Sequence, residues 1–116
     1  MTRPAMYGIP NCDTVKKARK WLDTQGIEYA FHDYKKEGAD PSRLSAWSNL
    51  AGWEALLNRR GTTFRKLSDG DKIDIDRTKA IDLMVKHPSM IKRPVVEHEG
   101  GVLVGFSEDD WSAAFQ

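Results

Sequence analysis

The first third of the chain combines an apolar run with a helical repeat of apolar positions. Residues 5–9, AMYGI, form an apolar run that Pro10 interrupts, as expected of a buried strand that runs into a turn. Beyond Cys12 the apolar residues recur at the spacing of one helix face, and basic residues occupy the other faces. That apolar face carries Val15, Ala18 and Leu22. Gly26 then ends the segment like a C-terminal helix cap, so the pattern predicts strand, turn and helix in that order.

A second strand is predicted directly after this helix. The run IEYAFHDY, residues 27–34, is rich in the aromatic and branched side chains that favour strands. A helix that crosses between two strands makes them parallel neighbours. The sequence therefore predicts a βαβ unit over residues 5–34.

The middle of the chain is predicted to be helical. Asp40 and Pro41 form a helix-start pair, a capping residue followed by a first-turn proline. One face of this helix carries Leu44, Trp47 and Leu50. Gly52 interrupts the pattern before WEALLN resumes it. We expect a helical insertion at about residues 41–75 that ends in the polar loop SDGDKIDID.

One more helix, a hairpin and a terminal helix complete the pattern. Asp76 or Thr78 caps a helix that Pro88 stops. Its apolar positions are Ile81, Met84 and Val85. The apolar runs PVVEH and VLVGF flank the turn signal at residues 99–101. Ser107 with Asp110 has the spacing of a capping box before a final helix with Trp111, Ala114 and Phe115.

The order of these elements predicts the fold class. A βαβ part followed by a ββα part is the plan of an α/β, thioredoxin-like fold with a mixed β-sheet. Here a helical insertion separates the two parts. The 116 residues fit a single domain, 1–116, because single domains are most often about 100–150 residues long.

Composition narrows the function class. The 18 basic and 17 acidic side chains give a net charge of +1 with the signs interspersed, which argues against direct nucleic-acid binding by bulk charge. No apolar run approaches the roughly 18 residues of a membrane span, and the N-terminal residues lack a secretion signal. A single cysteine cannot form an internal disulfide and suits a reducing compartment. We expect a cytoplasmic protein without a membrane partner.

Cys12 is the leading candidate for chemistry. A helix N-terminus offers unpaired N–H donors and partial positive charge, which favour the reactive thiolate. Lys16, one turn along, also favours the anion, whereas Asp13 opposes it. Position 15 is valine, so the C-x-x-C pair of redox enzymes is absent and an outside thiol must resolve any disulfide. Glutathione is the obvious cytosolic candidate for that outside thiol. The alternative to a reactive thiol is that Cys12 is a small hydrophobic residue packed in the core.

Four further features carry less information. Arg93 precedes Pro94 at a strand start, where a guanidinium and backbone groups lie beside the thiol if the fold is thioredoxin-like. The basic cluster NRRGTTFRK, residues 58–66, is a solvated face, an anion site or a docking patch. The three histidines lack metal-ligand spacing, so no metal site and no tightly bound cofactor is predicted. The four tryptophans occupy helical core positions, with packing as the default interpretation.

These segments together resemble a known family. The stretches YGIPNCDTVKKARKWL, LLNRRGTTFRKL, HPSMIKRPVV and VLVGFSEDDW, in this order, resemble the arsenate reductase (ArsC)/Spx family and most closely its small YffB-type members. The resemblance implies a redox-active Cys12 and a cis bond between Arg93 and Pro94. By motif, Arg93 keeps one of three arginines that hold the oxyanion in such arsenate reductases, while Asn58 and Gly105 stand at the other two positions.

The resemblance and the residues together predict a glutathione-dependent monothiol reductase. Cys12 and Arg93 are the expected catalytic residues. Asn11, Lys16, Arg93 and Pro94 are the expected contacts to glutathione, a co-substrate, and the partner is a thiol, disulfide or oxyanion substrate. Two alternatives stay open: an arsenate reductase with a reduced anion site, and an Spx-like regulator that contacts RNA polymerase.

Overall fold

A mixed sheet of four short strands organises the part of the chain that carries the cysteine. The structure is a computed structural model that describes residues 3–115. The strands are β1 (Ala5–Gly8), β2 (Ala30–Asp33), β3 (Val95–His98) and β4 (Gly101–Val104). Their order is β2-β1-β3-β4, with β1 parallel to β2 and antiparallel to β3, and β3 antiparallel to β4. The predicted βαβ unit, hairpin and thioredoxin-like mixed sheet are confirmed.

Helices complete this sheet-containing unit, which spans residues 3–37 and 93–115. They are α1 (Asp13–Thr24), the short α2 (Tyr34–Glu37) and α8 (Glu108–Phe115). The unit has one core cluster of buried residues: Met6, Val15, Ala18, Trp21, Leu22, Val96 and Trp111. The Trp21 and Trp111 rings meet edge to face, with centroids 5.9 Å apart. Helices α1 and α8 therefore share this core with strands β1 and β3.

Residues 38–92 form a second compact unit that is helical. Its helices are α3 (Pro41–Ala51), α4 (Trp53–Leu56), α5 (Thr62–Arg65), α6 (Asp69–Lys72) and α7 (Arg77–Lys86), followed by a 3₁₀ turn, Pro88–Met90. Helix α3 packs against α4 and α7. The predicted starts of α3 and α7 are confirmed, because the Asp40 carboxylate accepts the Ser42 amide at 3.0 Å and Asp76 accepts that of Lys79 at 2.9 Å. The expected single domain with an insertion at about 41–75 stays a prediction.

Three local expectations were wrong in part. The second strand covers only Ala30–Asp33, and Tyr34 begins a buried helical turn instead of ending the strand. The loop predicted from residue 68 contains the helical turn α6, whose start the Ser68 hydroxyl caps by accepting the Asp71 amide at 3.3 Å. Leu50, placed on the apolar face of α3, is 66% exposed.

The apolar face of α7 is rotated from the predicted one. Ala80, Leu83 and Met84 are buried, whereas Ile81 and Val85 are only half-buried. Of the four tryptophans, Trp53 alone is half-buried rather than buried. Within residues 3–115, no helix combines the length and the apolar character that crossing a membrane requires.

Candidate functional site

Cys12 occupies the N-cap of α1. Its backbone is extended, with φ −116° and ψ 128°, and its carbonyl accepts the first helical hydrogen bond from the Lys16 amide at 2.9 Å. In the part of the chain that the structure describes, the thiol makes no capping hydrogen bond. The side chain is half-buried and touches the edge of the core cluster. Cys12 therefore lies at the positive end of a 12-residue helix, and its thiol makes no hydrogen bond to the first-turn N–H groups.

A close approach between β1 and α1 sets the position of this helix start. A Cβ atom on Gly8 would lie 2.9 Å from Cγ2 of Val15, which is closer than side-chain carbons pack. Val15 is fully buried in the first turn of α1. Because Gly8 has no side chain, the first turn of α1 packs directly against the end of β1. Cys12, four residues after Gly8, is the N-cap of that helix.

Arg93 and Pro94 directly precede β3, at the end of the sheet where β1 finishes. The peptide bond between them is cis, as the resemblance implies. Tyr7 of β1 pairs with Val95 of β3 in the antiparallel ladder. One further step along that register sets Gly8 beside Pro94. The segment that leads from β1 to Cys12 and the segment that begins with Arg93 therefore meet at the same end of the sheet.

Two hydrogen bonds fix the start of β3 from its other side. The Gly105 amide donates to the Pro94 carbonyl at 2.8 Å, and the Trp111 indole N–H donates to the Gly105 carbonyl at 3.1 Å. Gly105 has φ +78°, a left-handed conformation that glycine adopts without strain. This connection from α8 through Gly105 to Pro94 was missed at the sequence level. Its signal is the glycine that follows VLV, two residues before a capping serine.

The two segments that meet here carry two cationic side chains and one carboxylate. Arg93 is half-buried, and among residues 3–115 no hydrogen bond or ion pair engages its guanidinium. Lys16 is exposed and its ammonium is likewise unpaired within the described residues. Asp13 adds one exposed carboxylate in the first turn of α1. A half-buried guanidinium without a carboxylate partner suits an anionic ligand, either a thiolate or a substrate carboxylate.

The sheet-containing unit holds all five predicted site residues. Asn11, Cys12 and Lys16 lie at the start of α1, and Arg93 and Pro94 lie at the start of β3. Their roles toward glutathione stay predictions. Asn58 belongs to the helical unit, where its side chain accepts the Arg60 amide at 3.1 Å.

Known proteins resemble this chain over nearly its whole length. The ArsC family matches residues 7–114. A protein of Haemophilus influenzae is 44% identical over 110 residues, which cover 95% of this chain and 96% of that protein. The global transcriptional regulator Spx of Lactiplantibacillus plantarum is 27% identical over 107 residues, which cover 90% and 80%.

Solved structures give the same relationship. The structure of a YffB protein is 53% identical, covers 97% of this chain and 99% of its own, and superimposes with a TM-score of 0.95. An arsenate reductase (ArsC) related protein from Brucella melitensis is 50% identical, covers 99% and 96%, and has a TM-score of 0.77. The predicted relationship to YffB-type proteins is thereby confirmed, as is the relationship to Spx.

Proposed function

Because the chain belongs to the ArsC family, we propose that it is a redox enzyme of the arsenate-reductase kind that works as a glutathione-dependent monothiol reductase. One observation carries the proposal: the lone Cys12 is the N-cap of α1 and its thiol makes no capping hydrogen bond. Lys16 in that helix and Arg93 in the adjoining segment have no ion-pair partner among the described residues. A purely structural cysteine needs neither the helix terminus nor the cations. A thiolate nucleophile is stabilised by both.

The reaction is two thiol–disulfide exchanges. In the first, the Cys12 thiolate attacks the glutathione sulfur of a mixed disulfide, a new S–S bond forms, and the substrate leaves as a thiolate that takes a proton from water. In the second, a glutathione thiolate attacks the sulfur now bound to Cys12 and releases glutathione disulfide. The substrate is reduced, glutathione is oxidised, and Cys12 returns to its starting state.

Arg93 supplies the polar contacts in this scheme. Its guanidinium holds the Cys12 thiolate or a carboxylate of glutathione through charge-assisted hydrogen bonds. Pro94 is buried, has no N–H, and its carbonyl already accepts the Gly105 amide, so its part in the scheme is to hold the segment that carries Arg93. Asn11 and Lys16 are exposed residues shortly before and shortly after Cys12 in the sequence, and in this scheme they contact the rest of glutathione.

The test is the intact mass of the protein after treatment with oxidised glutathione. We expect one glutathione adduct per chain, reversed by reduced glutathione, and no adduct on Cys12→Ser. Cys12 is the only cysteine, so this variant is a clean control. If no adduct forms over hours at neutral pH, the proposal fails.

Arsenate reduction is the first alternative, favoured by the likeness to the ArsC-related protein of Brucella melitensis. It requires an oxyanion held near Cys12. Of the three arginines expected from the family motif, the chain has Arg93, with Asn58 and Gly105 at the other positions. Because each charge-assisted contact contributes about 1.5–3 kcal/mol, we propose that arsenate is at most a poor substrate.

The second alternative is a regulator that contacts RNA polymerase. It is favoured by the similarity to Spx, which is 27% identical over 90% of the chain. Such a regulator needs no turnover at the thiol. Co-purification with RNA polymerase together with an unreactive Cys12 would support it, while glutathione turnover without polymerase binding supports the reductase.

A further inference from the structure

We propose that the helical unit contains a binding pocket for a phosphate-class oxyanion, independent of the thiol and formed around Arg59, Arg60 and Lys92. This cavity, called the basic pocket below, has a volume of about 390 Å³. Its lining also includes Glu54, Leu57 and Asn58. All of these residues lie within residues 38–92. The proposal therefore stands or falls separately from the proposed reductase activity.

The charge of the basic pocket is the first argument. Three cations and one carboxylate line it, which leaves a net charge of two positive units in a protein whose overall charge is +1. In the described chain none of the three cations forms an ion pair, not even with Glu54 on the same pocket wall. The three cations are exposed and line one cavity without a carboxylate partner, so an anion that enters the cavity meets all three.

The backbone beneath the cations is firmly fixed, which is the second argument. Residues Leu57 and Ile91 form an antiparallel bridge, flanked by hydrogen bonds from the Asn58 amide to the Met90 carbonyl and from the Lys92 amide to the Leu56 carbonyl, both 2.7 Å. Leu57 and Ile91 are themselves buried. Arg59 and Arg60 therefore extend from a segment that is held directly beside the one that carries Lys92.

Two side-chain interactions shape the turn that carries the arginines and orient one of their guanidinium groups. The Asn58 carboxamide oxygen accepts the Arg60 amide at 3.1 Å and so shapes the turn. The Arg59 guanidinium lies 5.8 Å from the centre of the Trp53 ring, within the range of a cation–π contact. A Cβ on Gly61 would lie 3.1 Å from Nδ2 of Asn58, so the turn also packs closely behind this side chain. The pocket is thus partly preorganised before a ligand binds.

The ligand chemistry follows from the size and the donors. A volume of 390 Å³ lies near the lower end of ligand pockets, which commonly span about 300–1,000 Å³. Two arginine forks and an ammonium match the planar pairs of oxygens of a phosphate. At neutral pH phosphate carries a charge of about −1.5 to −2, which balances the net positive charge of the residues that line the pocket. The ligand class is phosphate, either free or as the monoester of a small molecule.

The experiment is an NMR titration of the full chain with inorganic phosphate at constant ionic strength. We expect saturable shifts of the amides around residues 57–60 and 91–92. Arg59→Gln, Arg60→Gln and Lys92→Gln should each raise the dissociation constant about tenfold. Arg65→Gln is the matched control, because Arg65 is an exposed arginine of the same unit outside the pocket, and it should change little. Glu54→Gln should tighten binding, a gain that a folding defect cannot produce.

The outcomes separate the alternatives. Phosphoserine that binds as well as inorganic phosphate identifies a monoester as the ligand, and binding of inorganic phosphate alone identifies the free ion. Shifts that do not saturate, or an equal loss in Arg65→Gln, would overturn the proposal. So would loss of binding in Arg93→Ala, because the anion would then belong to the thiol site. Stronger binding of a glutamate-rich peptide than of phosphate would show a protein-docking patch instead.

Discussion

The side chains of Arg93 and Lys16 should differ in how strongly they accelerate the capture of oxidised glutathione by Cys12. Arg93 is half-buried, whereas Lys16 is exposed and its charge is screened by water. We therefore expect Arg93→Ala to slow adduct formation about tenfold, the effect of losing one charge-assisted contact. Lys16→Ala should have a smaller effect. The measurement is the second-order rate of adduct formation at neutral pH, followed by intact mass.

The reverse order of effects would be informative. A large effect of Lys16→Ala with none from Arg93→Ala would mean that the start of α1 alone organises the thiol site. Both variants should first be shown to keep the far-ultraviolet circular dichroism of the parent, so that a slower rate reports on the site.

Asn58 and Gly105 set the expectation for arsenate. We expect weak arsenate reduction by the parent protein and a rise in rate for Asn58→Arg, which restores an arginine at a position where the family motif has one. Gly105→Arg should give no such rise, because Gly105 has φ +78° and a side chain there costs about 1–2 kcal/mol. Coupled turnover assays with glutathione would measure all three proteins. Robust reduction of micromolar arsenate by the parent would contradict this prediction.

At the scale of elements, the contact between β1 and α1 decides where the thiol stands. Gly8→Ala places a Cβ 2.9 Å from Val15 Cγ2, so overpacking should lower the free energy of unfolding by about 1–3 kcal/mol. Val15→Ala removes that methyl group. The double variant should therefore be more stable than the sum of the two single effects predicts. Urea unfolding of the four proteins measures this coupling, and simple additivity would show that the two residues do not meet.

The start of α7 offers a second test between two residues that the sequence left as alternatives. Asp76 accepts the Lys79 amide at 2.9 Å, and Thr78 lies inside the helix and is exposed. Asp76→Ala should lower the free energy of unfolding by about 1 kcal/mol, because one helix N–H loses its partner. Thr78→Ala should be neutral or slightly stabilising, since alanine favours helix interiors. Equal losses in the urea midpoints of both variants would contradict this assignment.

Elements with a strong local signal were predictable from the sequence, whereas those that tertiary contacts decide were not. The caps at Asp40 and Asp76 and the β3–β4 hairpin depend on neighbouring residues and are confirmed. Leu50 fits the helical spacing but lies at the end of α3, where no neighbouring element covers it. The run at residues 27–34 favours a strand, yet Tyr34 is buried by entering a helical turn instead.

The same division applies to the candidate site. The position of Cys12 at a helix start follows from local spacing and is confirmed. The cis bond at Arg93-Pro94 came from family resemblance, because the sequence alone does not distinguish it from a trans bond. The hydrogen bonds that link Trp111, Gly105 and Pro94 depend on the tertiary structure, so the local sequence pattern could not predict them. The pairing of Leu57 with Ile91, which supports the basic pocket, was missed for the same reason.

At the scale of the whole molecule, the number of cysteines determines how the proposed reaction can end. In the proposed reaction, Cys12 is the only thiol of the chain, so the mixed disulfide would have no internal thiol to resolve it and would persist until a second glutathione arrives. The structure offers a way to change this. Cys12 is the N-cap of α1 and Val15 is the third residue of the helix, and an N-cap side chain reaches the backbone of that residue.

Val15→Cys should therefore convert the monothiol protein into a dithiol protein. The new sulfur would lie within reach of Cys12, so it should attack the mixed disulfide, release glutathione and leave an internal disulfide. Intact mass should show little glutathione adduct and instead the loss of two hydrogen atoms. Ala18→Cys is the matched control, because Ala18 is also fully buried in α1 but lies about another turn away, and its adduct should accumulate as in the parent. If the adduct persists equally in Val15→Cys, the Cys12 sulfur is out of reach of position 15 and the predicted internal exchange is wrong.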